Sequence, residues 1–174
     1  MSKKLTEKFF RRDCLEVATE LVGKILVRRL QDGTFLRERI AETEAYRGEE
    51  DKACHASKGR TNRTEILYGE SGKIYVYLCY GMHWLMNITT GNKEQPQCVL
   101  IRAGAVHKGP AKLTKYLQID GNLNKCQICG NPDIWIEDDG FRPDLKNAPR
   151  VGIDYAGEYW KNIEWRFIDS GGIV

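Results

Sequence analysis

Several familiar signatures are missing from this chain of 174 residues. No GxxxxGKS/T loop is present to cradle nucleotide phosphates, and no GxGxxG follows a strand to meet a dinucleotide. HExxH and GxSxG are absent as well. Nucleotide hydrolysis, zinc proteolysis and serine-hydrolase chemistry are thereby disfavoured. Histidine is scarce: His55, His83 and His107 are the whole supply. That scarcity bears on Cys126-x-x-Cys129 in "NKCQICGN", which is half of a zinc site. Neither a second cysteine pair nor a matching histidine pair follows it, and no βαβ pattern of a redox dithiol surrounds it. Two free thiols are expected, and no metal. The longest apolar run, "IYVYLCYGMHWLMNI", is too short and too interrupted to cross a bilayer, so no membrane partner is expected. Repeats, linkers and low-complexity segments are also lacking, which points to one domain over residues 1–174.

Apolar residues make up 41% of the chain and charged residues 29%, the balance of a globular protein with a buried core. Net charge is only +3, so the total does not establish a nucleic-acid partner. The distribution says more. Lys3, Lys4, Lys8, Arg11 and Arg12 crowd the start, Lys58, Arg60 and Arg63 share one loop, and Lys108, Lys112 and Lys115 surround one helix start. Clustered cations form a phosphate footprint or merely a solvated surface, and charge alone leaves both open. The opening "MSKKLTEKFFRRD" lacks the apolar segment of a signal peptide. Six cysteines in an intracellular, reducing setting are not expected to form disulfides.

The spacing predicts a helix over "DCLEVATELVG", capped by Asp13 and ended by Gly23. "KILVRRL" reads as a strand, Asp32-Gly33 as a hairpin turn, and "FLRERIAETEAY" as the returning strand. Strict alternation there puts Leu36, Ile40, Glu42, Glu44 and Tyr46 on one face. Residues 47–72 read as a long surface loop with one short helix near Arg63–Tyr68. "KIYVYLCY", "HWLMNITT" and "QCVLIRAG" read as an antiparallel meander, and "GPAKLTKYLQI" as a helix with Pro110 in its first turn. "DIWIEDD" and "IEWRFI" are further strands, separated by an irregular stretch. The expected fold is α+β: a single compact domain with a mainly antiparallel sheet and flanking helices.

Two constellations suggest chemistry. In "AETEAY" a carboxylate beside a tyrosine is a candidate general base, and burial would raise its pKa unless a cation opposed it. Arg102, the one charged residue in "CVLIRAG", is that candidate cation. Spacing does not choose between Glu42 and Glu44, and a structural ion pair at a sheet edge is the plainer alternative. The second set is Tyr46, His55, Tyr75, Tyr77 and Tyr80, whose faces suit either nucleobase stacking or ordinary core packing. Tyr80 and Met82 flank Gly81 at a hairpin tip, where small polar residues are usual.

"RIAETEAYRGEEDKACHASKGRTNR", "YVYLCYGMHWLMN" and "CVLIRAG" together resemble the alkyladenine (3-methyladenine, or methylpurine) DNA glycosylases. "FFRRD", "LVGKILVRRL", "GPAKL" and "RVGIDYAGE" resemble the same family in the same order, across almost the whole chain. The resemblance implies a curved antiparallel sheet and a monomeric, monofunctional enzyme of base excision repair that needs no cofactor. Its partner would be double-stranded DNA carrying a damaged purine, flipped out of the helix. It implies Glu44 as the general base that activates water and Arg102 as its positioning cation. It implies Tyr46, His55 and Tyr77 around the flipped base and Asn87 against the 2-amino group of guanine. Tyr80 and Met82 would wedge into the stack, while Arg60, Arg63 and Lys112 would meet the backbone. The implied setting is DNA-associated, in a nucleus or a bacterial or archaeal cytoplasm.

The segment "AGAVHKG" after Arg102 is short for this family, and "KGRTNRTE" also looks shortened. Cys126 and Cys129 inherit no role. The competing functions are a catalytically silent binder of damaged DNA, which the presence of both Glu44 and Arg102 disfavours, and a zinc-binding module, which lacks ligands.

Overall fold

A computed structural model describes residues 2–172. Among the described residues nine strands form one open sheet in which all pairings between named strands are antiparallel. They are β1 (Lys3–Lys4), β2 (Ile25–Arg29), β3 (Phe35–Arg47), β4 (Ile74–Cys79), β5 (His83–Thr89), β6 (Gln97–Gly104), β7 (Ile134–Asp138), β8 (Leu145–Ala148) and β9 (Arg166–Asp169). Their order is β1-β7-β2-β3-β6-β5-β4, with β9 beside β3 and β8 beside β9. The helices are α1 (Glu7–Phe10), α2 (Cys14–Leu21), α3 (Pro110–Tyr116) and α4 (Glu158–Asn162). The α+β reading and the β4-β5-β6 meander hold.

Local chemistry explains the regular elements. Asp13 accepts the backbone N–H of Leu15 at 2.9 Å, a cap that contributes about 1 kcal/mol to α2. Gly23, at φ 89°, turns the chain out of α2 and into β2. Asp32 accepts the Thr34 N–H at 2.9 Å and closes the β2–β3 hairpin. Val17, Ala18 and Leu21 of α2 pack with Ile40, Ala45, Val99 and Ile101 of β3 and β6, and Leu113 of α3 joins the same core. Each fully buried large apolar side chain there contributes about 1.5–3 kcal/mol.

Three expectations need correction. First, β3 does not keep one alternation. Its ladder with β6 runs Ile40↔Gly104, Glu42↔Ala103, Thr43↔Ile101, which leaves Ala41 and then Arg102 as extra residues in two successive bulges. The phase flips there. Leu36 and Ile40 pack on the α2 core, and so do Thr43, whose hydroxyl donates to Ala18 O at 2.8 Å, and Ala45. Glu44 and Tyr46 face the opposite side. A bulge does this because one added residue moves every later side chain to the other face.

Second, residues 47–72 are not a surface loop throughout. Asp51, Ala53, Cys54, Ala56, Leu67 and Tyr68 are buried, and short 3-10 turns form at His55–Lys58 and Glu65–Tyr68. Third, β1, β8, α1 and α4 were not expected. They have two, four, four and five residues, too few to display a period.

Candidate active site

The sheet face away from α2 and α3 carries a second set of side chains. Tyr75, Tyr77 and Cys79 of β4, His83, Leu85 and Asn87 of β5, and Leu100 and Arg102 of β6 alternate onto it. With Glu44 and Tyr46 they line a cleft of about 540 Å³. The 51–63 and 151–155 segments wall its sides.

Glu44 lies at the cleft wall with its side chain fully buried. Oε1 accepts the backbone N–H of Val151 at 2.9 Å, and Oε2 accepts the Tyr46 hydroxyl at 2.8 Å. The Arg102 Nε stands 3.4 Å from Oε1 and closer, at 3.0 Å, to Glu42. Burial raises the Glu44 pKa, and Arg102, the Val151 N–H and the Tyr46 hydroxyl oppose it without cancelling it. The arginine therefore offsets part of the burial cost, not all of it.

The aromatic wall is held by polar contacts. The Tyr75 hydroxyl lies 2.8 Å from His55 Nδ1, and Arg63 Nε donates to it at 3.3 Å. The His55 and Tyr77 rings are 4.8 Å apart, and the Arg63 guanidinium sits 5.1 Å over the Tyr77 ring. Burial, with Arg63 and Lys58 nearby, pushes the His55 pKa down to about 4, so the ring is neutral at pH 7. Asn87 is buried and fixed: its amide donates to Tyr75 O at 3.2 Å, and the Cys98 thiol donates to its oxygen at 3.9 Å.

At one end the β4–β5 hairpin projects from the cleft. Tyr80 and Gly81 both have positive φ, 51° and 68°, and Met82 N–H donates to Cys79 O at 3.1 Å. Glycine takes this conformation freely, and tyrosine takes it at a cost. The outcome is a tip with Tyr80 88% and Met82 70% exposed.

Eight of the expected site residues meet in this cleft: Glu44, Tyr46, His55, Arg63, Tyr77, Tyr80, Asn87 and Arg102. Met82 stands at the hairpin tip, outside the lining. Lys112 is exposed on α3, next to Pro110 and Ala111 at the rim. Arg60 is turned elsewhere, bound to Glu65 and Glu94 and placed over Tyr68.

Other contributors carried no periodic signal. Arg150, fully buried, pairs with Asp51 at 2.6 Å, donates to Ala45 O at 2.9 Å, and lies 4.8 Å over the Tyr46 ring. Only the "RVGIDYAGE" match pointed to this segment, and it assigned no role to Arg150 or Val151.

The methylpurine-DNA glycosylase family matches residues 8–108 and 105–172. The chain belongs to that family. Among methylpurine-DNA glycosylase relatives, a protein of Psychrobacter cryohalolentis is 43% identical over 187 aligned positions, covering 91% of this chain and 88% of that one. A protein of Methanocella arvoryzae is 40% identical over 95% of this chain and 92% of its own length. One of Natranaerobius thermophilus is 39% identical over 94% of each. All three carry the name "Putative 3-methyladenine DNA glycosylase". The two family-matched stretches meet at residues 105–108, inside "AGAVHKG". No described helix is long and apolar enough to cross a membrane.

Proposed function

We propose that this protein acts alone on double-stranded DNA and removes alkylated or deaminated purines by hydrolysing the N-glycosidic bond. The substrates in view are 3-methyladenine, 7-methylguanine, hypoxanthine and ethenoadenine. One observation carries the reading: a buried carboxyl, Glu44, with a raised pKa and an arginine at 3.4 Å, opens onto an aromatic-walled cleft beside an exposed tyrosine hairpin.

Tyr80, with Met82 beside it, enters the minor groove and fills the space of the displaced base, as apolar wedges do. The flipped purine stacks among Tyr46, His55 and Tyr77. These walls are uncharged at pH 7, and aromatic faces attract a cationic alkylpurine. Asn87, locked by its two hydrogen bonds, crowds the 2-amino group of guanine. Water then attacks C1′ while Glu44 takes its proton. The C1′–N bond breaks, its electron pair leaves with the purine, and an abasic sugar and a free base result. A purine alkylated at N3 or N7 is cationic and leaves uncharged without an acid, whereas hypoxanthine and ethenoadenine must gain a proton from solvent as they leave. A role for Arg63 on the phosphate backbone requires it to leave the Tyr77 ring when DNA is bound. Lys112 needs no such release.

Single-turnover excision by Glu44→Gln tests the reading. A general base contributes roughly 10²–10⁴-fold, so excision of 7-methylguanine is expected to fall by that factor while lesion-duplex binding persists. Undiminished excision removes Glu44 as the base. Lesion binding with no excision by the parent protein identifies a silent binder instead.

A further inference from the structure

We infer that Glu42 is a positioning residue: clamped between Arg102 and Arg166, its carboxylate holds the Arg102 guanidinium away from a full pairing with Glu44 and leaves Glu44 the stronger base. This inference rests on the reading of Glu44 as the general base and adds what tunes it.

The geometry is specific. Glu42 Oε1 takes both arginines, Arg166 Nη1 at 2.9 Å and Arg102 Nε at 3.0 Å, while the Arg102 Nε to Glu44 contact is longer, 3.4 Å. Nε carries one hydrogen, so it cannot serve both carboxylates fully at once. The backbone builds this competition. Arg102 is the extra residue of the β6 bulge between Glu42 and Thr43, and Arg166 pairs directly with Glu44 in the β3–β9 ladder. Glu42 is 18% exposed at its side chain and Glu44 is fully buried, so the shared cation lies between an outer and an inner carboxylate.

The other groups that face this cluster are already engaged. From β3, Tyr46 donates to Glu44, and from the 150–151 segment the Val151 N–H does the same. Arg150 is held by Asp51. His55, Tyr75, Tyr77 and Arg63 bind one another along the aromatic wall. Among the described residues, Glu42 alone competes with Glu44 for Arg102.

The clamp has a sign that a merely structural ion pair lacks. Neutralising Glu42 removes a neighbouring negative charge and frees Arg102 for Glu44, and both changes favour the ionised form of Glu44. Removing Arg166 takes a cation away and leaves Glu42 to draw on Arg102 alone, which disfavours it.

The test is the pH dependence of single-turnover excision, on a duplex carrying 7-methylguanine so that no acid is required. For Glu42→Gln the acid limb is expected to move to lower pH, with a plateau rate reduced by about tenfold or less. For Arg166→Gln the limb is expected to move to higher pH. Limbs that stay in place, or that move the same way in both variants, overturn the inference. Should Glu42→Gln fail to fold, Arg166→Gln decides alone: an upward shift supports the clamp and an unmoved limb rejects it. Failure of the underlying reading looks different. There, Glu44→Gln still excises, or Glu42→Gln is inert at every pH where Glu44→Gln is active.

Discussion

Tyr46 and Glu44 leave β3 on the same face, and the Tyr46 hydroxyl donates to Glu44 Oε2 across 2.8 Å. The tyrosine thus joins two parts of the cleft. Its ring belongs to the aromatic wall, and its hydroxyl belongs to the carboxylate. Behind it, Arg150 covers the ring and is itself held by Asp51.

Tyr46→Phe separates those two parts. The ring stays, and one of the contacts that oppose the burial of Glu44 is lost. Glu44 must be ionised to take a proton, so the acid limb of excision is expected to move to higher pH. Lesion affinity is expected to hold. A pH–rate profile together with a binding isotherm checks both; an unmoved limb would show that the hydroxyl does not act on Glu44.

Tyr80→Ala removes an exposed ring and none of the core. Binding to lesion duplex is expected to weaken by about 1–3 kcal/mol, the range for an aromatic stacked on a base. The melting temperature and excision from single-stranded lesion DNA are expected to change little. Equal losses on duplex and single strand argue against a wedge.

Asp51→Asn leaves the Arg150 charge buried without a carboxylate. Both side chains are fully inaccessible, and breaking such a pair from one side costs about 3–5 kcal/mol. Urea unfolding reads the loss as a lower midpoint at unchanged slope. A loss below about 1 kcal/mol would mean that solvent reaches the site and relieves Arg150.

Lys112 and Arg60 were both expected at the DNA backbone, and their surroundings now separate them. Lys112 is exposed on α3, next in the chain to the rim residues Pro110 and Ala111, whereas Arg60 bridges Glu65 and Glu94. Lys112→Ala is expected to flatten the plot of log affinity against log salt by about 0.9. Arg60→Ala is expected to leave that slope alone and to change stability little, as the loss of an exposed, solvent-screened ion pair does. The reverse ranking in a salt titration would reassign the two.

Much of the fold was legible because its causes are local. A cap at Asp13, a glycine at 23, a turn at Asp32-Gly33 and Pro110 at a helix start each act within a few residues, and α2, α3 and the β2–β3 hairpin follow. The meander was legible because β4, β5 and β6 keep their alternation over six to eight residues. Of the site, the sequence pattern brought forward Glu42, Glu44, Tyr46, Arg102 and the aromatic residues as types.

What it did not reveal depends on pairs far apart in the chain. Arg150 meets Asp51 across 99 positions and thereby buries a stretch whose composition reads as loop. Arg166 reaches Glu42 across 124. Periodicity alone made Glu42 and Glu44 equivalent. By itself, then, the sequence determined the longer strands, the alternation along β4, β5 and β6 and that a tyrosine stands at a hairpin tip, because these follow from short-range geometry. Tertiary structure decided which carboxylate is buried and which is clamped outside it. The bulge at Ala41 resets the phase of β3, the one at Arg102 does the same for β6, and β9 then brings in the second arginine. A bulge is a property of two strands in register, so neither strand encodes it alone.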